Sequence, residues 1–343
     1  MLPARTVSRN TQPESRNNII VDHMSDKKIY RESSIVKWHH GDIRQELKPY
    51  SFMNMMQEAA GKHANLMNFG YDALQESNQI WVLSRIKVRF EKYPKWGDNV
   101  TLETWHKGMQ SLFGLRDFIL HAEDGSNAIV ATSSWLIMNA KTRRIERGNV
   151  FNSTSEILND GNKANAIETP CDRLRTQPDM EFVREHVVKY SDIDNLMHTN
   201  NAKYAEWITD SIDIELFKTH RIKEFQINYN SETLLGDKIE IYRKEIETPA
   251  DIKAANNIGV NNIGVNNISV NSISVNNIGV NNISDNNISD NNISDNNISD
   301  NNISDNNIGD NNNQGYSSRT FYFEGRKDGK AAFESIFTLV PAE

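Results

Sequence analysis

Cysteine is almost missing from this chain: Cys171 is the only one among 343 residues. A single thiol excludes an intramolecular disulfide and a thiolate metal cluster, and it suits a reducing compartment. No apolar run approaches the ~18 residues that a membrane-spanning helix requires. The N-terminus also lacks the apolar core of a secretory signal, so the expected location is the cytoplasm. A basic excess is missing too. The formal net charge is −8, and the six aspartates at 285, 290, 295, 300, 305 and 310 account for so much of it that the rest of the chain carries −2. A near-neutral body lacks the concentrated basic surface on which nucleic-acid binding depends, so nucleic acid is not an expected partner. Residues 1–28 are polar and aperiodic, with Arg5, Arg9 and Arg16 scattered among Ser and Thr. They read as a disordered leader rather than a transit peptide.

What the chain does have is one unit written twice. In the first copy, an extended segment from Ile35 to His39 leads into SFMNMMQEAAGKHANLM, where Met53, Met56, Ala60, Ala64 and Met67 fall on one helical face. In the second, HVVKY (186–190) leads into NNAKYAEWITDSIDIELF, where Ala205, Ile208, Ile212 and Leu216 repeat that stepping. Each helix is followed by an alternating strand, a Gly-Asp pair and another strand. Val88 precedes Gly97 by nine positions and Ile227 precedes Gly236 by nine. A hairpin around Asp124-Gly125 or Asp328-Gly329 closes each copy. A long helix on one face of an antiparallel sheet predicts an α+β fold. Two such units, at 29–140 and 183–340 with a linker at 141–182, are expected to pair as a pseudo-dimer. Their sheets would continue edge to edge, since an unpaired edge strand is a liability.

One spacing differs between the copies. Gly97 to Asp124 is 27 residues, while Gly236 to Asp328 is 92. Most of the excess is a pentapeptide tract, NNIGV to NNIGD, running from 256 to 310 inside an insertion that extends to 315. A step of five gives neither a helical stripe nor one strand face. A disordered low-complexity segment and a four-sided solenoid with Ile inward are both open readings; neither makes the tract catalytic.

Polar residues suited to catalysis concentrate in YSDIDNLMHTNNAKYAEW (190–207) of the second copy. Asp192, Asp194, Asn195, His198, Asn200 and Asn201 gather just before a helix, whose first turn presents unpaired N–H groups. Such an end can stabilise developing negative charge on oxygen. The plainer reading is that Thr199 or Asn200 caps the helix and the aspartates serve a turn.

This passage resembles the D-x-D-x-N-x-H-x-N-N signature of acyl-acyl carrier protein (acyl-ACP) thioesterases, and WVLSRIKVRF (81–90) is similar to a stretch of bacterial members. The resemblance runs from about 28 to 340, apart from the repeats. It implies two tandem hotdog domains with catalysis in the second, and hydrolysis of a fatty acyl thioester carried on ACP. It carries Asp194 and His198 onto the family's acidic and histidine positions, and Tyr229, Glu232 and Thr233 (YNSETLLGD) onto its tyrosine-glutamate segment. Thr233 stands where plant members often have cysteine, which implies water attack assisted by Glu232 and His198. Amides from Thr199 to Ala202 would polarise the carbonyl. The departure is Leu196, which stands where the family has asparagine. Asn195 lies one step earlier, which in a strand would face the other way unless a bulge restored it or Asn200 took its part.

The acyl tail is expected in the first copy, with Met53, Met56, Ala60, Trp81 and Phe113 as candidate lining beside Asn200 and Asn201. No cofactor or metal is implied. Acidic ACP would meet Lys203, Arg221 or Lys223. Counting from the Gly-Asp pairs sets Tyr93 against Glu232. Before the helices, Lys48, Pro49 and Tyr50 are set against His198, Thr199 and Asn200, leaving His39, His40 and Asp42 out of register. An acyl-CoA thioesterase and a non-catalytic acyl-binding protein are the competing readings, and a homodimer is left open.

Overall fold

The structure is a computed structural model that describes residues 28–146, 161–246 and 317–342. The leader up to residue 27 and the pentapeptide tract lie outside the described residues. In chain order the first copy comprises β1 (Tyr30–Ile35), α1 (Pro49–Leu66), α2 (Tyr71–Gln75), β2 (Gln79–Phe90), β3 (Asn99–Gln110), β4 (Phe113–Ala122), β5 (Asn127–Asn139) and the short β6 (Ile145–Glu146). The second comprises β7 (Glu181–Val187), α3 (Asn201–Thr209), α4 (Ile214–Thr219), β8 (His220–Tyr229), β9 (Lys238–Ile246), β10 (Arg319–Lys327) and β11 (Lys330–Pro341).

The strands form one antiparallel sheet in the order β1-β3-β4-β5-β2-β8-β11-β10-β9-β7, with β6 added beside β5. The two copies therefore join edge to edge, and the seam pairs Ile86 with Ile227 and Val88 with Phe225. All four side chains are buried in a core that also takes in Phe52, Met53 and Met56 of α1 and Tyr204, Trp207 and Ile208 of α3. Residues two apart on a strand share a face, so Lys87 and Gln226 point the other way. There the chain between the copies crosses the sheet: Lys87 donates to the Pro170 carbonyl at 3.1 Å, and Gln226 accepts from Asp172 N–H at 3.1 Å. Cys171 is buried in this crossing, and burial pushes its thiol up to about 12.

The helix expected over NNAKYAEWITDSIDIELF is in fact two. It stops at Thr209, and Asp213 opens α4 by accepting from Glu215 N–H at 2.9 Å. Short polar side chains that bond nearby backbone compete with helix continuation, and Asp213 does so although the apolar stepping runs on. The extended segments also end sooner than the sequence suggested: short 3₁₀ turns occupy Trp38–His40 and Tyr190–Asp192.

The loop before each main helix repeats bond for bond. Gly97 N–H reaches Val36 O at 2.9 Å, and Gly236 N–H reaches Val188 O at 2.9 Å. Both glycines have φ near +90°, a region that suits a residue without Cβ. Asp42 N–H bonds Glu46 O as Asp194 N–H bonds His198 O, both at 2.8 Å, and Gln45 and Met197 take the same positive φ. Leu47 N–H reaches Pro94 O as Thr199 N–H reaches Thr233 O. These matches correct the register read from sequence. The residue opposite His198 is Glu46, that opposite Asn200 is Lys48, and Asp42 stands opposite Asp194; Tyr93 remains opposite Glu232.

Candidate active site

His198 and Glu232 are brought together from the loop before α3 and the loop after β8. His198 Nε2 lies 3.5 Å from Glu232 Oε2, and both side chains keep roughly a quarter to a third of their surface open. Arg143, from the turn after β5 of the first copy, forms an ion pair with Glu232. Burial, and secondarily Arg143, hold the His198 imidazole below its ordinary value, against a smaller opposite pull from Asp194. The arrangement is a carboxylate braced by a cation beside an imidazole that is neutral at neutral pH. Arg143 was not foreseen. It lies in a stretch that reads as linker, and only the pairing of β2 with β8 carries it across to the second copy.

The other motif residues have structural roles. Asp194 Oδ1 accepts from Leu196 N–H (2.8 Å) and His198 N–H (3.2 Å), shaping the loop that presents His198. Asp192 accepts from Lys189 N–H and sits 3.0 Å from His186 Nε2. Asn200 caps α3, accepting from Ala202 N–H at 2.9 Å and from Gln57 Nε2 at 3.1 Å. Asn201 Nδ2 donates to Gln57 Oε1 at 3.1 Å. The Thr233 hydroxyl is fully buried, donating to Thr199 Oγ1 at 2.7 Å and lying 2.9 Å from Tyr204 OH, so it is not placed to attack a substrate. Tyr229 OH donates to Asn201 O. Residues 194–197 form a turn closed by Met197 N–H on Asp194 O, not a strand. The alternation of faces invoked for Asn195 and Leu196 therefore does not apply, and both border the cavity described next.

That cavity, about 330 Å³, runs between α1, α2 and β2 of the first copy and ends at Asn195, Leu196 and Asn201 of the second. Of the lining residues expected from sequence, Ala60 and Trp81 border it, and Phe69, Leu74, Ile80 and Trp135 supply further apolar wall. Trp81 is fixed by its Nε1–H on Phe69 O (2.9 Å) and by Gly114, where a Cβ would come within 2.9 Å of the indole. Met53 and Met56 are fully buried in the core, and Phe113 packs under the Arg85 guanidinium; none of the three lines the cavity. Gln57 was missed because it sits on a helix read only for its apolar stripe. The basic residues proposed for a carrier are all engaged: Lys203 with Glu206, Arg221 with Glu46, and Lys223 with Glu91. Among the described residues no helix is long and apolar enough to cross a membrane.

Two matching helix-on-sheet copies sharing one sheet, with a slot between them, define a tandem hotdog protein. The chain matches the acyl-ACP thioesterase N-terminal domain over residues 27–150 and the corresponding C-terminal domain over 176–276. It belongs to the acyl-ACP thioesterase family. Curated relatives include the chloroplastic oleoyl-acyl carrier protein thioesterase 2 of Arabidopsis thaliana, 27% identical over 67% of this chain and 66% of the relative. The chloroplastic palmitoyl-acyl carrier protein thioesterase of Gossypium hirsutum is 28% identical over 61% of this chain and 53% of its own. The chain thus spans just under two thirds of the one and about half of the other. An acyl-ACP thioesterase structure from Bacteroides thetaiotaomicron shares the fold with a TM-score of 0.65 at 22% identity, covering 92% of this chain and 100% of its own.

Proposed function

We propose that this protein hydrolyses the thioester of a fatty acyl group carried on ACP, the first copy holding the acyl chain and the second supplying the reacting groups. The observation that carries the reading is the placement of His198 beside Glu232, next to the end of an apolar slot, where the first copy has Glu46 and Tyr93 instead. Glu232, paired with Arg143, accepts a proton as a water oxygen attacks the thioester carbon. The C–S bond then breaks, and the proton passes through His198 to the departing thiolate. Thr199, Asn200 and Ala202 N–H groups are spent on bonds within the fold, which narrows the candidate for polarising the carbonyl to the Asn201 N–H at the start of α3.

Hydrolysis of acyl-ACP by the wild type and by Glu232→Gln and His198→Ala is the test, with the same acyl group on CoA as a parallel substrate. The expected result is turnover on ACP and a loss of about 10²–10⁴-fold in each variant. Undiminished turnover in both variants would remove the assignment of the pair, and faster turnover on CoA would reassign the carrier.

A further inference from the structure

The duplication gives the reaction slot a counterpart. A second cavity, about 490 Å³, lies where the loop of the first copy (Gly41 to Lys48) meets the helices of the second. Four of its wall positions repeat those of the slot. Thr209 takes the place of Gln57, Ile212 that of Ala60, Ile43 that of Asn195 and Pro49 that of Asn201. The His198–Glu232 pair has counterparts here of different chemistry: Glu46 replaces His198, and Tyr93 replaces Glu232.

This niche retains the features of a ligand site. Phe90, Ile212, Phe217 and Ile222 provide apolar wall, and Ile43 and Ile214 are more than half exposed. At the polar end the Tyr93 hydroxyl is buried and has no hydrogen-bond partner among the described residues, and neither does Glu46 Oε2, whose residue is only 4% exposed. An unsatisfied buried donor or acceptor is destabilising, and a bound polar group would relieve it. Two guanidinium groups flank the Glu46 carboxylate. Arg221 Nη1 lies 3.3 Å from Glu46 Oε1 with its guanidinium over the Tyr93 ring, Arg44 Nε lies 3.6 Å from Glu46 Oε2, and Lys48 lines the cavity. Of the nearby acids, Asp42 is spent on the N–H groups of Arg44 and Glu46, and Asp210 faces Arg184.

We infer that this cavity is a second acyl site, which holds a free fatty acid without acting on it, the acid's carbonyl accepting from the Tyr93 O–H, its own O–H donating to Glu46 Oε2 and the tail lying against Phe90, Ile212 and Phe217. Only the choice of a fatty acid as ligand rests on the hydrolase reading. The site would let the released product bind away from the reacting groups.

The test titrates the full chain with dodecanoate labelled with carbon-13 at the carboxyl group and counts bound resonances by NMR. Two are expected. Tyr93→Phe should shift or weaken one of them, Thr209→Trp should abolish that same one by filling the cavity, and Gln57→Trp should abolish the other. Retention of the second resonance in Thr209→Trp shows that the variant is folded; loss of both is resolved by Tyr93→Phe alone. A single bound resonance that Gln57→Trp abolishes would overturn the inference, as would two resonances indifferent to Tyr93→Phe and Thr209→Trp. Because this is binding and not turnover, its failure leaves the hydrolysis reading standing, and failure of hydrolysis leaves a two-resonance result intact.

Discussion

At the scale of single residues, Glu232 pairs with a cation that no motif announces. Arg143 adopts a positive φ in the turn after β5 and reaches Glu232. If neutral His198 is required, activity falls as pH drops through its pKa, which burial and Arg143 both depress. Arg143→Met removes one of those two causes, so the acidic limb of the kcat/KM profile should move to higher pH and remain below the ordinary imidazole value. Superimposable limbs in the two proteins would dismiss this electrostatic role. The polar cluster that holds His198 could be picked out from the sequence itself, whereas Glu232 was named only by the family resemblance; the structure sets the two side chains 3.5 Å apart. The face argument for Asn195 and Leu196 presumed a strand; residues 194–197 are a turn, which has no alternating faces, and hydrophobic pattern alone does not distinguish four residues of turn from four of strand. The control in the first copy was miscounted by two residues, because composition carries no trace of backbone bonds such as Leu47 to Pro94.

At the scale of elements, α1 serves two neighbours at once. Its apolar stripe announced a helix, and the helix is there, but periodicity cannot tell which buried side chains meet the sheet and which meet a slot. Met56 is fully buried in the core. Met56→Ala should therefore cost about 2–5 kcal/mol of stability, while leaving the preference among acyl chain lengths in place. Gly61, one turn on, borders the slot, and a Cβ there would meet nothing within 4 Å. Gly61→Ala should raise stability by up to about 1 kcal/mol through helix propensity and shift the preference toward shorter chains. Denaturant unfolding together with a panel of acyl-ACP lengths separates the two, and a chain-length shift in Met56→Ala would refute the division of labour. The break between α3 and α4 was hidden for the opposite reason, since the apolar stepping continues across Asp213 while its carboxylate starts a new helix.

At the scale of the whole molecule, duplication replaces two sheet edges with one seam. The order of elements made this legible. The outer face of the sheet was not, because which polar side chains the connecting chain covers depends on its path. Glu334 records the consequence. It pairs across β10–β11 with Glu324, is 7% exposed, and is held by Asn230 Nδ2 at 3.0 Å. Burial, opposed by the Asn230 hydrogen bond and helped by a smaller push from Glu324, raises its carboxyl to about 7. A carboxyl with a raised folded-state pKa binds its proton more tightly in the folded protein, so stability is lost as pH climbs from the unfolded value through about 7. Glu334→Gln keeps the shape and cannot ionise. Relative to wild type it should gain on the order of 3 kcal/mol at most at pH 8 and much less at pH 5, measured by urea unfolding at both. An equal difference at the two pH values would show that Glu334 is already neutralised by a neighbour, and that the outer face of the duplicated sheet tolerates its facing carboxylates without cost.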